Sequence, residues 1–223
     1  MNSVSETPDF VKEPGKGAYE VTWRPEKIAL AQAFADVLHW PVFTAWRLAE
    51  RNGKFTKVPC DNSGKPISTK AKWYTFDDAW RLFATGGYDG LGVKLGCGDE
   101  EGGYLCALDI DAKDVDSTAL EQAIGFTGEN LGFHKTYAEF SPSGRGMHVL
   151  FWARPEAEFV NTTARLPSGP RLEIYVLKSE KRFLTITGAK VPGFGNAIAD
   201  CTAELKGLME EFSFPKRIED VHL

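Results

Sequence analysis

The chain has 223 residues, 43% hydrophobic and 26% charged, with a formal net charge of −5. That balance fits one sizeable globular domain with a proper core, or one domain made of two small modules. No run approaches the ~20 consecutive apolar residues that cross a bilayer, and Met1–Glu6 lacks the basic and apolar regions of a secretory signal, so a cytoplasmic protein with no membrane partner is expected.

Residues 1–24 mix charge with glycine and proline (Lys12-Glu-Pro-Gly-Lys-Gly17) and read as a flexible N-terminal arm. Pro25 opens a helix in which Leu30, Phe34, Val37 and Leu38 recur at helical spacing, ending before Pro41. Val42–Ala49 and Lys54–Pro59 flank Asn52-Gly53 and form a hairpin. Thr75-Phe-Asp-Asp78 caps a short helix through Trp80, Leu82 and Phe83, stopped at Gly86-Gly87. Strands follow at Leu91–Leu95 and Tyr104–Asp111, joined by a turn rich in glycine and acid. Asp116 caps a helix over Ser117–Ile124 that Gly125 ends. Further strands are expected at Lys135–Phe140, Met147–Ala153, Leu172–Leu177 and Arg182–Thr187. Ile198, Cys201, Leu205, Leu208 and Phe212 mark a last helical stripe with Asn196 as its cap. Strands joined mainly by hairpins, with helices between and after them, predict an α+β fold with an antiparallel or mixed sheet. Cys60, Cys97, Cys106 and Cys201 form no C-x-x-C pair, which argues against a zinc ribbon or a disulfide framework.

The acidic total conceals a basic stretch. Arg47, Arg51, Lys54, Lys57, Lys65, Lys70 and Lys72 are opposed only by Glu50 and Asp61, a distribution suited to tracking DNA phosphates.

The chemistry concentrates further on. In Leu105-Cys-Ala-Leu-Asp-Ile-Asp111 strand alternation puts Asp109 and Asp111 on one face, their Cα atoms roughly 6.5–7 Å apart, with Leu108 and Ile110 on the other. Two anions so close repel, and a divalent cation is the usual compensation. Ser141-Pro-Ser-Gly-Arg-Gly-Met-His148 is a small-residue turn leading into a strand. Successive N–H groups of such a turn can cradle an anion, while Ser143, Arg145 and His148 add donors. Glu173 interrupts the apolar run of Arg171–Val176, and Arg182 precedes a strand rich in threonine. Three carboxylates for one or two Mg2+ or Mn2+ ions, beside donors for a triphosphate, form the repertoire of two-metal nucleotidyl transfer.

Leu108-Asp-Ile-Asp111, then Ser143-Gly-Arg-Gly-Met-His148, then Leu172-Glu-Ile-Tyr175 and Arg182-Phe-Leu-Thr-Ile-Thr-Gly188 resemble, in that order, the archaeo-eukaryotic primase superfamily, especially the bifunctional primase-polymerases of phages and plasmids. Lys57-Val-Pro59 and Trp73 extend the likeness upstream. The resemblance implies a small N-terminal α/β module (25–90) beside a catalytic module like an RNA-recognition fold (91–214), with the active site between them; the charged ending, residues 215–223, reads equally as a tail or a linker. It implies that Asp109, Asp111 and Glu173 ligate metal and that Ser143 and His148 bind the phosphates of the incoming nucleotide, His148 counting among the catalytic group. By the same resemblance Arg145, Arg182 and Lys57 would be further nucleotide contacts. The implied partners are a DNA primer-template or single-stranded template, dNTPs or NTPs, and a helicase or a C-terminal helical priming domain. Because few residues follow Phe212, extension of primers is expected to exceed their initiation. Two other readings use the same residues: a metal-dependent nuclease or sugar-nucleotide transferase, and a non-catalytic module that binds nucleotide or DNA in replication initiation.

Overall fold

Alternation of small or apolar with polar residues along the strands builds two sheets that share a core. A computed structural model of the chain describes residues 22–51, 54–98, 102–154, 161–176 and 182–212. The first sheet is antiparallel, in the order β2-β1-β3-β9, from β1 (Phe43–Arg51), β2 (Lys54–Cys60), β3 (Gly90–Lys94) and β9 (Phe183–Ile186). The second runs β10-β6-β4-β8-β7, from β4 (Tyr104–Asp111), β6 (Gly146–Ala153), β7 (Thr162–Arg165), β8 (Arg171–Tyr175) and the two-residue β10 (Ala199–Asp200), which pairs with β6 in parallel. A short β5 (Ala138–Phe140) also pairs with β6, giving a central antiparallel order β8-β4-β6-β5. The chain is thus a mixed α+β fold.

Face alternation sorts the side chains into two cores. Phe43, Ala45, Leu91, Val93, Leu184 and Ile186 of the first sheet pack with α1 (Lys27–Ala33), α2 (Phe76–Ala84) and with Leu105, Ala107 and Leu150 of the second. On the opposite face of the second sheet, Cys106, Leu108, Ile110, Val149 and Ile174 pack against α3 (Ser117–Gly125) and α4 (Thr202–Glu211). Thr75 caps α2 as its sequence predicts, its hydroxyl accepting from the Asp78 N–H. Among the described residues no helix is long and apolar enough to cross a membrane.

Several elements differ from expectation. The turn between β3 and β4 pairs only briefly, through Gly96 N–H to the Leu105 carbonyl at 2.8 Å and Leu105 N–H to the Cys97 carbonyl at 2.9 Å, before the two strands part into different sheets. Consequently β3 and β9, both within 91–214 but for Gly90, lie in the same sheet as the 43–60 hairpin. Gly125 keeps helical dihedrals (φ −58°, ψ −49°), so α3 runs on into a π-helical turn at Phe126–Asn130, and the reversal falls near Gly132 at φ 78°. Of the expected Lys135–Phe140 strand only Ala138–Phe140 pairs with β6: Lys135 ends a 3-10 turn (Phe133–Lys135), Thr136 is extended, and Tyr137 makes an isolated parallel bridge to Gly195. Asn196 does not cap α4: the free edge of β6 captures Ala199 and Asp200 first, and the helix begins only after Cys201. The polar β7 and the short β10 carry too little pattern to be seen in the sequence.

The Asn52-Gly53 turn, Leu177, residues 1–21 and the 215–223 tail lie outside the described residues. Thr22 and Trp23, assigned to a flexible arm, are in fact tied down. Their N–H groups donate to the Pro142 carbonyl at 2.8 and 3.1 Å, and the Trp23 ring stacks on Phe140 at 6.1 Å.

Candidate active site

On the face of the second sheet that turns toward the first, one cross-strand row carries four ionisable side chains. Glu139 on β5 stands opposite His148 on β6, His148 opposite Asp109 on β4, and Asp109 opposite Glu173 on β8. Register and alternation alone produce this row, since directly opposed residues of an antiparallel pair share a face. Exposure changes midway along it: the side chains of Glu139 and His148 are 0% and 2% accessible, and those of Asp109 and Glu173 31% and 25%. The row therefore begins in the protein interior and ends at solvent.

His148 lies between two carboxylates, Nδ1 at 3.4 Å from Glu139 Oε1 and Nε2 at 3.7 Å from Asp109 Oδ1. Asp109 and Glu173 are like charges directly opposite, an arrangement that destabilises a sheet unless cations intervene. Arg171 supplies one, its Nη2 at 2.9 Å from Glu173 Oε1, and the Tyr175 hydroxyl donates to the other oxygen of Glu173. Burial and that bond to Glu173 push the Tyr175 phenol well above its ordinary range. Asp111, two residues from Asp109 on the same face, pairs with Lys113 at 2.8 Å and accepts the Lys113 N–H at 3.0 Å.

Lys57 reaches this site from the first sheet. Its ammonium is 3.4 Å from the Thr185 hydroxyl on β9, and Asp109, Asp111 and Lys113 all act on its charge. Burial dominates and lowers its pKa to about 8, against the opposing pull of Asp109 and Asp111. Arg182 is also at the site, its guanidinium 5.8 Å from the centre of the Tyr175 ring.

The turn before β6 closes tightly. A Cβ at Gly146 would collide with the Ile110 carbonyl, and Gly144 takes φ 67°, so both positions require glycine. Within the turn, Ser143 Oγ lies 3.3 Å from Ser141 Oγ and accepts the Arg145 N–H at 3.4 Å. The Arg145 guanidinium donates instead to the Lys113 carbonyl, pinning the turn to the loop after β4. The Thr22 hydroxyl donates to the Ser143 carbonyl at 3.2 Å from the other side.

The structure thus gathers Asp109, Asp111, Glu173, His148, Lys57 and Arg182 around one face, with Ser143 on the turn that leads into β6. The basic stretch divides. Lys54, Lys65, Lys70 and Lys72 are exposed, while the side chain of Arg51 lies outside the described structure. Arg47 is not a free cation of the stripe: its guanidinium stacks on Tyr88 at 4.7 Å and fills the space over Gly64, and its Nε is buried with no hydrogen-bond partner. Arg47→Ala should therefore cost about 1–2 kcal/mol of stability in thermal melts and leave DNA affinity unchanged.

The residue that sequence reasoning missed is Glu139. It stands in Tyr137-Ala-Glu-Phe140 as a lone charge in an apolar strand, the same signal that marked Glu173. The cations Lys113 and Arg171 and the hydroxyl of Tyr175 were passed over because each gains meaning only from its neighbour.

The implied divalent ions can be tested against the donors present. Carboxylate oxygens on one face are the hard ligands that Mg2+ and Mn2+ take. Among the described residues no three His, Cys, Asp or Glu side chains converge as a ready cage, because Asp111 is turned to Lys113 and Glu173 to Arg171. The chemistry fits; occupancy would require those two carboxylates to exchange ammonium and guanidinium for metal. No protein-family model matches the chain, nor does any curated protein.

Proposed function

We propose that the chain is a template-dependent nucleotidyltransferase of the primase-polymerase type, adding nucleotides from nucleoside triphosphates to a 3′-hydroxyl in phage or plasmid replication. The observation that carries this reading is the graded row Glu139-His148-Asp109-Glu173, with Asp111 beside it and Lys57 supplied by the facing sheet. Anionic side chains at the open end suit cations, and cationic or donor groups around them suit phosphate. The order β8-β4-β6-β5 with α3 after β4 agrees with an RNA-recognition-like catalytic module, which supports the same reading. Divalent ions held by Asp109, Asp111 and Glu173 would supply Lewis-acid activation of the hydroxyl and neutralise charge on the departing pyrophosphate. Lys57 and Arg182 would draw the triphosphate against this face, and His148 would hold its position there.

The deciding experiment is extension of a labelled primer on a template with Mg2+ or Mn2+ and dNTPs or NTPs. Stepwise products that require metal and template support the proposal; release of nucleotides from the DNA, or no product, overturns it. One feature favours a second reading. The ion pairs that already hold Asp111 and Glu173 also suit a module that binds nucleotide without turning it over, which tight triphosphate binding without extension would establish.

The exposed lysines give a separate prediction. Neutralising Lys54, Lys65, Lys70 and Lys72 together should lower the salt dependence of single-stranded DNA binding by ~0.7 in log–log slope for each phosphate these ammonium groups no longer neutralise. An unchanged slope in a salt titration by fluorescence anisotropy would place the DNA elsewhere.

A further inference from the structure

We infer that Glu139 is a positioning residue: it holds the His148 imidazole with a hydrogen on Nδ1, presents Nε2 to Asp109 and the ligand, and anchors the ring to the first sheet. The consequence for turnover rests on the proposed nucleotidyl transfer; the geometry does not.

Glu139 is wholly buried, and its neighbours are donors. The Tyr137 hydroxyl donates to Oε2 at 2.8 Å, the Thr187 N–H reaches both oxygens at 3.0 and 3.1 Å, and the Gly188 N–H reaches Oε2 at 2.9 Å. Thr187 and Gly188 directly follow β9, so these bonds join the end of a first-sheet strand to β5 of the second. The remaining contact is His148 Nδ1, 3.4 Å from Oε1. A carboxylate used throughout as acceptor has no hydrogen to offer, so in this contact Nδ1 must carry it. Whichever charge the ring bears, Nε2 is then the nitrogen that meets the site. The 3.7 Å between Nε2 and Asp109 Oδ1 is too long for a direct hydrogen bond and leaves the ring nitrogen available to a ligand. Fixing one ring nitrogen through a bond made by the other is how proteins set both the tautomer and the aim of a functional histidine.

The test compares the wild-type chain with Glu139→Gln and Glu139→Asp, using 15N-histidine NMR well above the ordinary histidine titration range, the His148 signals being identified by their loss in His148→Ala. Wild type should show a protonated, hydrogen-bonded Nδ1. The amide of Glu139→Gln, when it turns its NH2 to the ring, moves the hydrogen to Nε2, whereas the shorter Glu139→Asp keeps it on Nδ1 with a weaker bond. In primer extension, Glu139→Gln should lower kcat/KM for nucleotide by about 10–100-fold, yet change it less than about twofold when His148 is already alanine. A wild-type ring with hydrogen only on Nε2 overturns the inference, and needs no variant to fold. Equal losses with and without His148 overturn it too, since they would show a purely structural role. If wild type extends no primer, the proposed function falls and the ring NMR still decides the role of Glu139.

Discussion

Asp109→Ala, and Asp109→Ala combined with Asp111→Ala, should reduce metal-dependent primer extension by at least about three orders of magnitude while leaving the fold intact. Asp109 is central in its row, opposite both His148 and Glu173, and its side chain is partly open, so its loss would remove the proposed metal ligand without opening a buried cavity. A second readout separates metal loss from other defects. A ligand that binds only the folded state raises stability by about 2.7 kcal/mol at one hundred times its Kd. The melting temperature of the wild type should therefore climb as Mn2+ or Mg2+ is added, and that of the double variant should stay flat. Undiminished extension in the variants would dissolve the metal assignment.

Lys57 should give the second large effect, visible in pH dependence. Its folded pKa of about 8 lies below the ordinary lysine value of 10.5, so the folded state binds the proton more weakly than the unfolded chain. Below the folded value both states are protonated and the full burial cost is present. As pH rises from about 8 toward the unfolded value that cost disappears, so this group makes stability increase with pH across the window, by about 3 kcal/mol in total. Lys57→Met should abolish that rise and stabilise the ligand-free protein near neutrality. The same substitution should weaken nucleotide triphosphate binding by about 30–100-fold, because a desolvated ammonium facing phosphate contributes a charge-assisted bond. In wild type, triphosphate affinity should fall above the folded pKa as the ammonium is lost. Parallel pH profiles for wild type and Lys57→Met, by denaturant titration and nucleotide binding, would show that Lys57 plays neither part.

Much of the site was legible because strands announce their faces. Asp109 with Asp111, and Glu173, each stood out as charge in an apolar run, and alternation alone placed the aspartates together. What alternation cannot give is register. That Asp109 meets Glu173 on one side and His148 on the other depends on pairings between strands far apart in the chain. Arg47 shows the opposite error: a cation counted by composition proves to be a packing residue over Tyr88, since sequence does not reveal that the turn at Gly64 folds back beneath it. The start of α4 was misplaced because Ile198, Ala199 and Asp200 satisfy a helical stripe as well as a strand edge, and the open edge of β6 decided between them.

The pairing of β3 with β9, Leu91 opposite Ile186 and Val93 opposite Leu184, has a kinetic consequence. Closing so long a loop is entropically slow, and the reward comes only when both partners have been made and brought together. Thr185, against which Lys57 rests, lies within this late-joining strand, and Thr187, which holds Glu139, directly follows it. Lys57 comes from the first ninety residues, and the acidic row with Thr185 from the remainder, so the first ninety residues cannot assemble this face alone and the remainder lacks its Lys57. The protein should acquire its ligand-binding competence in the last cooperative step of folding, after both halves of the polypeptide have been synthesised.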